Sequence, residues 1–168
     1  MQLLTDRLVI RPLEEADFPA FAQTLNEVQR ACLGGAKAFF NWIVAQYAAM
    51  DIVNSLISLG VFARDTGTLL GTAGAGRHDD LHEPEIFYYL LPEFRGHGYA
   101  TEAAGAITKW ALARDDVSYL IGTVAVDNPA SQNVLARCGY RFVDERTLLV
   151  HAEGKRYRFR YYRYDPAP

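Results

Sequence analysis

Cysteine is scarce in this chain: Cys32 and Cys138 are the only two in 168 residues. They lie far apart and belong to no CxxC or Cys/His spacing. That excludes a disulfide scaffold and a zinc finger, and it fits a reducing compartment. No basic segment followed by a long apolar run opens the sequence, so no signal peptide is expected. The longest stretch without a charge, residues 38–50, is interrupted by Asn41 and Gln46 and is too short to span a bilayer. Positive charge is not in excess either. The 17 Lys and Arg stand against 20 Asp and Glu, and a net charge of −3 argues against a whole-surface nucleic-acid binder. Repeats, linkers and low-complexity segments are also missing. What is present, 50% hydrophobic and 12% aromatic residues, describes an ordinary globule. The expectation is one domain over residues 1–168, located in the cytoplasm.

Helix and strand signals follow one another along the chain. Residues 7–11 are β-rich and stop at Pro12, which predicts a strand. Residues 14–25 carry acids in the first turn and apolar side chains at Phe18, Phe21, Ala22 and Leu25, a helical spacing. Gly34 and Gly35 break the chain before a second amphipathic helix over 36–51. Apolar runs at 56–63 and 68–75, joined through Asp65 and Gly67, read as a hairpin. Residues 76–84 are polar and read as a loop. The run 85–91 is aromatic and apolar throughout, as in a central strand covered on both faces. A helix follows with Ala100, Ala103, Ala104, Ile107 and Ala111 on one side. A strand at 119–126, a short helix at 129–137 and two strands within 140–164, turning near Glu153 and Gly154, complete an α/β, or mixed α+β, order.

Between the 85–91 strand and its helix lie Arg95, Gly96, His97 and Gly98. Backbone N–H groups at a helix N-terminus cannot all be satisfied within the helix, and the dipole there favours anions. Glycine lets a phosphate come close to the backbone, Arg95 adds charge and His97 a donor. A tight turn with an exposed Arg is the competing reading. The Lys-Ser/Thr of a P-loop is absent, and Thr101 stands where a Rossmann fingerprint needs its third glycine.

The Arg-x-x-Gly-x-Ala pattern of Arg95, Gly98 and Ala100, behind an aromatic strand and opening a helix, resembles the acyl-CoA pyrophosphate loop of the GNAT superfamily of N-acetyltransferases. Residues 4–13 (LTDRLVIRPL) are similar to the opening of its Rim-type subgroup, which acetylates ribosomal-protein N-termini. Residues 66–72 (TGTLLGT) resemble that subgroup's central hairpin, and residues 128–135 (NPASQNVL) with 139–142 (GYRF) its second cofactor motif. The resemblance implies a mostly antiparallel sheet flanked by helices and splayed between two parallel strands, 85–91 and 119–126, with pantetheine in the splay. Acetyl-CoA is the implied co-substrate, no metal is called for, and the acceptor is a primary amine on a peptide N-terminus or a small molecule. A non-catalytic acyl-CoA sensor of the same fold is the alternative. Neither nucleic acid nor membrane is an implied partner, and a homodimer is left open.

Carried over residue by residue, the resemblance assigns Arg95, Gly96, His97, Gly98, Tyr99, Ala100 and Thr101 to the cofactor phosphates. It assigns the backbone N–H groups of Tyr89, Leu90 and Leu91 to the carbonyl and pantetheine. Asn128 and Asn133 are further cofactor contacts, Asn128 also suiting a cap of the following helix, and Arg137 reaches either a cofactor phosphate or solvent. Glu85 is the implied base. Alternation places it with Phe87 and Tyr89, where desolvation would raise its pKa; a solvated strand-end carboxylate is the other reading. Many superfamily members carry a tyrosine acid where this chain has Leu135, which cannot protonate a thiolate. Ser131 is the remaining nearby hydroxyl, either the catalytic group that hydrogen-bonds the sulfur or a serine on the helix surface.

Three further features have simpler readings. The acids and histidines of 78–83 sit in a loop without HExxH order and suit solvation or a substrate entrance that favours cations. The basic-aromatic alternation at 155–163 fits an edge strand with a charged outer face. Phe39, Phe40 and Trp42 are either core or the floor of a substrate pocket.

Overall fold

A computed structural model describes residues 1–167, with Cys32 described by its backbone alone. Eight strands form one sheet: β1 (Leu3–Leu4), β2 (Leu8–Arg11), β3 (Leu56–Ala63), β4 (Leu69–Arg77), β5 (Pro84–Leu90), β6 (Leu120–Ala125), β7 (Arg141–Val150) and β8 (Lys155–Tyr164). Their order across the sheet is β1-β2-β3-β4-β5-β6-β8-β7. Every neighbouring pair is antiparallel except β5 and β6, which run parallel. The helices are α1 (Phe18–Phe21), α2 (Glu27–Ala31), α3 (Ala36–Gln46), α4 (Tyr99–Leu112) and α5 (Pro129–Arg137).

Strand alternation divides the core between the two faces of the sheet. Ile57, Leu59, Val61, Ala73, Ala75, Ile86 and Leu90 pack with Ala103, Ala104, Ile107 and Ala111 of α4, whose alanine face lets the helix lie close to the strands. Leu13, Phe21, Leu25, Phe40, Ile43, Phe62 and Leu69 form a second cluster under α1 and α3. Fully buried members such as Ile57, Leu59 and Ile107 each contribute roughly 1.5–3 kcal/mol relative to exposure.

Several sequence expectations change in detail. The helix expected over 14–25 is a 3-10 turn (Glu15–Asp17), α1, and a second 3-10 turn (Ala22–Thr24). Pro19 supplies no N–H to continue a helix from Glu15. The carbonyls at its end are taken by side chains: Thr24 Oγ1 donates to Phe21, and the Arg30 guanidinium to Ala22 and Leu25. The 36–51 helix stops at Gln46, where the Tyr47 hydroxyl accepts from the Leu13 N–H at 3.2 Å and donates to the Ser58 carbonyl. Strand β4 extends through Arg77, so the expected 76–84 loop shrinks to residues 78–83. Strand β8 lies inside the sheet between β6 and β7, and β7 forms the edge; the 155–163 alternation is therefore not that of an edge strand. The 85–91 run is central but covered unevenly. Ile86 and Leu90 are buried, whereas Tyr89 is 38% exposed.

Candidate functional site

Strands β5 and β6 share a single registered pair, Glu85 with Ile121. Beyond it they separate, and α5 closes the gap from one side. There a Cβ on Gly122 would come within 2.8 Å of Leu135, so helix and strand touch directly. Two cavities open along the divergence. The larger, about 540 Å³, is walled by the loop before α4 and one face of α5. The smaller, about 340 Å³, lies between β5, β6 and β8. They share Tyr88, Asn128 and Ser131.

The larger cavity gathers most of the expected cofactor residues: Tyr89, Leu90, Arg95, Gly96, Gly98, Tyr99, Ala100, Thr101, Asn128, Asn133 and Arg137. Gly96 and Gly98 both adopt φ of +81°, a conformation that glycine enters without strain. Gly98 is the N-cap of α4, so the loop delivers the unsatisfied N–H groups of the helix to the cavity. Asn133 and Arg137 lie four residues apart on one face of α5. With Arg95 and Arg137 as its charged walls, the cavity suits an anion.

Two expected cofactor residues fall outside it. Leu91 is buried and donates its N–H to the Leu70 carbonyl at 2.9 Å, so that group is committed to β4. Successive residues of an antiparallel ladder point to opposite sides. Tyr89, two residues before Leu91, likewise turns its N–H to β4, so it reaches the cavity without the backbone donor expected of it. Leu90 instead aims its N–H and C=O at the splay, and Arg95 Nε takes that carbonyl at 2.9 Å. His97 lines neither cavity, and its carbonyl is held by Arg7 on the outer side of the loop.

The smaller cavity holds Glu85, whose Oε1 accepts from Thr123 N at 2.8 Å and Thr123 Oγ1 at 2.6 Å. Burial pushes its carboxyl up to about 7. The two Thr123 hydrogen bonds pull the other way, and the negative charges of Asp79 and Glu83 add to the rise. A carboxyl so poised exchanges protons near neutrality. Asn128 caps α5, its Oδ1 accepting from Ser131 N at 3.2 Å, and faces both cavities. The Tyr88 hydroxyl donates to the Ser131 carbonyl at 3.0 Å, tying β5 to α5 across the gap. Burial holds that phenol protonated, well above the usual tyrosine range.

Sequence reading missed Tyr88 and Thr123. Tyr88 alternates with Ile86 and Leu90 and so resembles a core residue; its one signal was a hydroxyl on a buried face, which needs a partner. Thr123 carried no local signal, because its role comes from the register of two strands distant in sequence. Phe39, Phe40 and Trp42 line neither cavity: Phe40 is buried among Phe18 and Phe21, and Phe39 stacks on Trp42. In the 78–83 loop, His78 Nδ1 accepts from the N–H groups of Asp80 and Leu81, and Asp80 accepts from Leu149 N on β7. Among the described residues, no group of three or more His, Cys, Asp or Glu is placed to hold a metal ion, and no helix is long and apolar enough to cross a membrane.

A sheet splayed at one parallel junction, with a glycine loop delivering a helix N-terminus to the gap, is the framework of an acetyltransferase. The family model of the acetyltransferase (GNAT) domain matches residues 7–141, and the chain belongs to that family. Its members use acetyl-CoA. The chain is 30% identical over 145 residues to the uncharacterized N-acetyltransferase YoaA of Bacillus subtilis, covering 83% of this chain and 82% of that protein. An acetyltransferase from Agrobacterium tumefaciens is 27% identical with a TM-score of 0.74, over 99% of this chain and 95% of its own. The ribosomal alpha-N-protein acetyltransferase RimL, in complex with coenzyme A, shares the fold at a TM-score of 0.77 and 15% identity, over 98% of each chain.

Proposed function

We propose that residues 1–168 form one acetyltransferase domain of the Rim-type subgroup. In this reading it moves an acetyl group from acetyl-CoA to a primary amine, a protein N-terminus or a small molecule, by direct attack on the thioester. The observation that carries the reading is the meeting of a cationic cavity and a carboxylate cavity at Tyr88, Asn128 and Ser131. The coenzyme A held by RimL supports the choice of co-substrate.

Acetyl-CoA supplies an activated acetyl group when bound. The residues present fit it. The N–H groups opening α4, with Arg95 and Arg137, suit phosphates, and the N–H of Leu90 suits an amide carbonyl in the splay. Glu85 takes the proton that the amine must lose before its lone pair can attack, and Thr123 on Oε1 leaves Oε2 to receive it. The acids Asp79 and Glu83 favour a cationic amine on this side. Ser131 brings a hydroxyl to the junction, where the departing sulfur needs a hydrogen bond.

Titration with acetyl-CoA, followed by thiol release against pools of amines and N-terminal peptides, tests the reading. Micromolar binding with release from one pool is the expected result, and that pool names the acceptor class. Binding with no release from any amine favours the sensor, and absence of binding overturns the proposal.

A further inference from the structure

Thr5 and Arg7, between β1 and β2, stand about 90 residues from the glycine loop in sequence yet clasp its outer side. Glu102, in the first turn of α4, is the centre of the clasp. Its Oε1 accepts from Thr5 Oγ1 at 2.5 Å and from Arg7 N at 2.9 Å. Its Oε2 accepts from Arg7 Nε at 2.8 Å and lies 2.7 Å from Nη2. Arg7 then reaches the loop itself. Nη1 donates to the His97 carbonyl at 2.9 Å, and the guanidinium carbon lies 4.5 Å from the centre of the Tyr99 ring. Nη2 lies 3.4 Å from the place a Cβ on Gly98 would occupy. His97 and Tyr99 are thus held, with Gly98 between them, by a side chain that lines neither cavity.

Two physical consequences follow. A carboxylate in the first turn of a helix opposes any second anion at that N-terminus, and the Arg7 fork cancels the charge of Glu102. The His97 carbonyl, free to rotate, would present an acceptor where phosphate needs donors, and Nη1 holds it outward. We propose that Arg7 is a positioning residue for phosphate recognition: with Thr5 and Glu102 it fixes the 95–98 loop so that donors, not acceptors, face the cavity. The inference rests on reading that cavity as the coenzyme A phosphate site.

The test compares the wild type with Arg7→Ala, Arg7→Lys and the double variant Arg7→Ala/Glu102→Gln. Calorimetry reads the coenzyme A dissociation constant, hydrogen exchange reads the amides of 96–100 without ligand, and turnover is compared for acetyl-CoA and S-acetylpantetheine, which lacks the phosphates. Arg7→Ala is expected to raise the dissociation constant about tenfold or more, the loss of charged hydrogen bonds. The ratio of kcat/KM for acetyl-CoA over that for S-acetylpantetheine falls in step, and the loop amides exchange faster. Arg7→Lys restores charge without the fork and recovers part of the affinity. The double variant recovers part by removing the uncompensated carboxylate.

Unchanged coenzyme A binding in Arg7→Ala overturns the inference alone, and so does an equal loss with both acyl donors, which marks a merely structural role. Wild type that fails to bind coenzyme A overturns the cavity reading and the inference with it.

Discussion

The two cavities that meet at Tyr88 are made in different ways. The larger takes its walls from the end of β5, from the short segment 95–101 without His97, and from one helix face, and its ligand-ready groups are backbone N–H donors and two arginines. The smaller takes Glu85 from β5, Thr123 from β6 and Phe159 from β8, residues brought together by strand register alone. Anion recognition built from backbone is local in sequence, whereas a tuned carboxyl needs neighbours that only the folded sheet supplies. Substitutions on the two sides should therefore fail differently, one in binding and the other in proton handling.

The sharpest separation is expected from Glu85→Gln, which should lower kcat about 10²- to 10³-fold with little change in acetyl-CoA affinity. With the carboxyl at about 7, wild-type kcat rises with pH through neutrality and levels above it, and the variant loses that limb. Normal turnover with an unchanged profile would move the base elsewhere. Stability should run the opposite way. The raised carboxyl favours folding fully below its unfolded value of 4.5, and the advantage is lost as pH rises through about 7. Above that pH the buried charge costs up to about 3 kcal/mol. Glu85→Gln should accordingly melt higher than wild type at pH 8, with the gap closing towards pH 5.

On the other side, Gly98→Val forces a β-branched residue into φ of +81°. It is expected to weaken coenzyme A binding by roughly one to two orders of magnitude. Retained affinity, measured by calorimetry, would remove the loop from the site. Thr123→Val deletes one of two donors to Glu85 and should move the acid limb of the kcat profile about one unit alkaline, since a bond to the charged form is lost. A limb that stays in place would mean that Thr123 does not tune the carboxyl. Tyr88→Phe keeps the ring but loses the tie to Ser131, worth about 1 kcal/mol, and a rise of a few fold in the acetyl-CoA KM is expected. Trp42→Ala should leave coenzyme A binding unaltered, because Trp42 lines neither cavity.

The same division governs what could be read in the chain. Arg95, Gly98, Ala100 and Asn128 lie in contiguous motifs whose spacing encodes a turn, a helix start and a cap, and the structure brings them to one cavity. The hairpin β3–β4 and helix α5 were legible for the same reason. Leu91 and His97 belong to those motifs too, yet a ladder bond and an outward carbonyl remove them from the cavity, and neither is visible without partners from β4 and Arg7. Thr123 could not be found at all, because its alignment with Glu85 is a consequence of sheet register. The interior position of β8 was hidden likewise: its alternation of basic and aromatic residues satisfies an edge as well as a strand whose arginines pair with Glu145 of β7 and with Asp165 just beyond its own end.

The single rung between β5 and β6 has a mechanical meaning. The first five strands form one continuously laddered plate and the last three another, and a single rung joins them at the seam. Closure depends on side-chain ties, Glu85 to Thr123, Tyr88 to Ser131 and Tyr161 to Glu83, rather than on a continuous ladder. Each tie is worth about 1 kcal/mol, and between them they stand in for the ladder bonds that the two strands do not make. Whatever lodges in the seam and bonds both edges replaces the missing rungs, and the guest becomes part of the stiffness of its host.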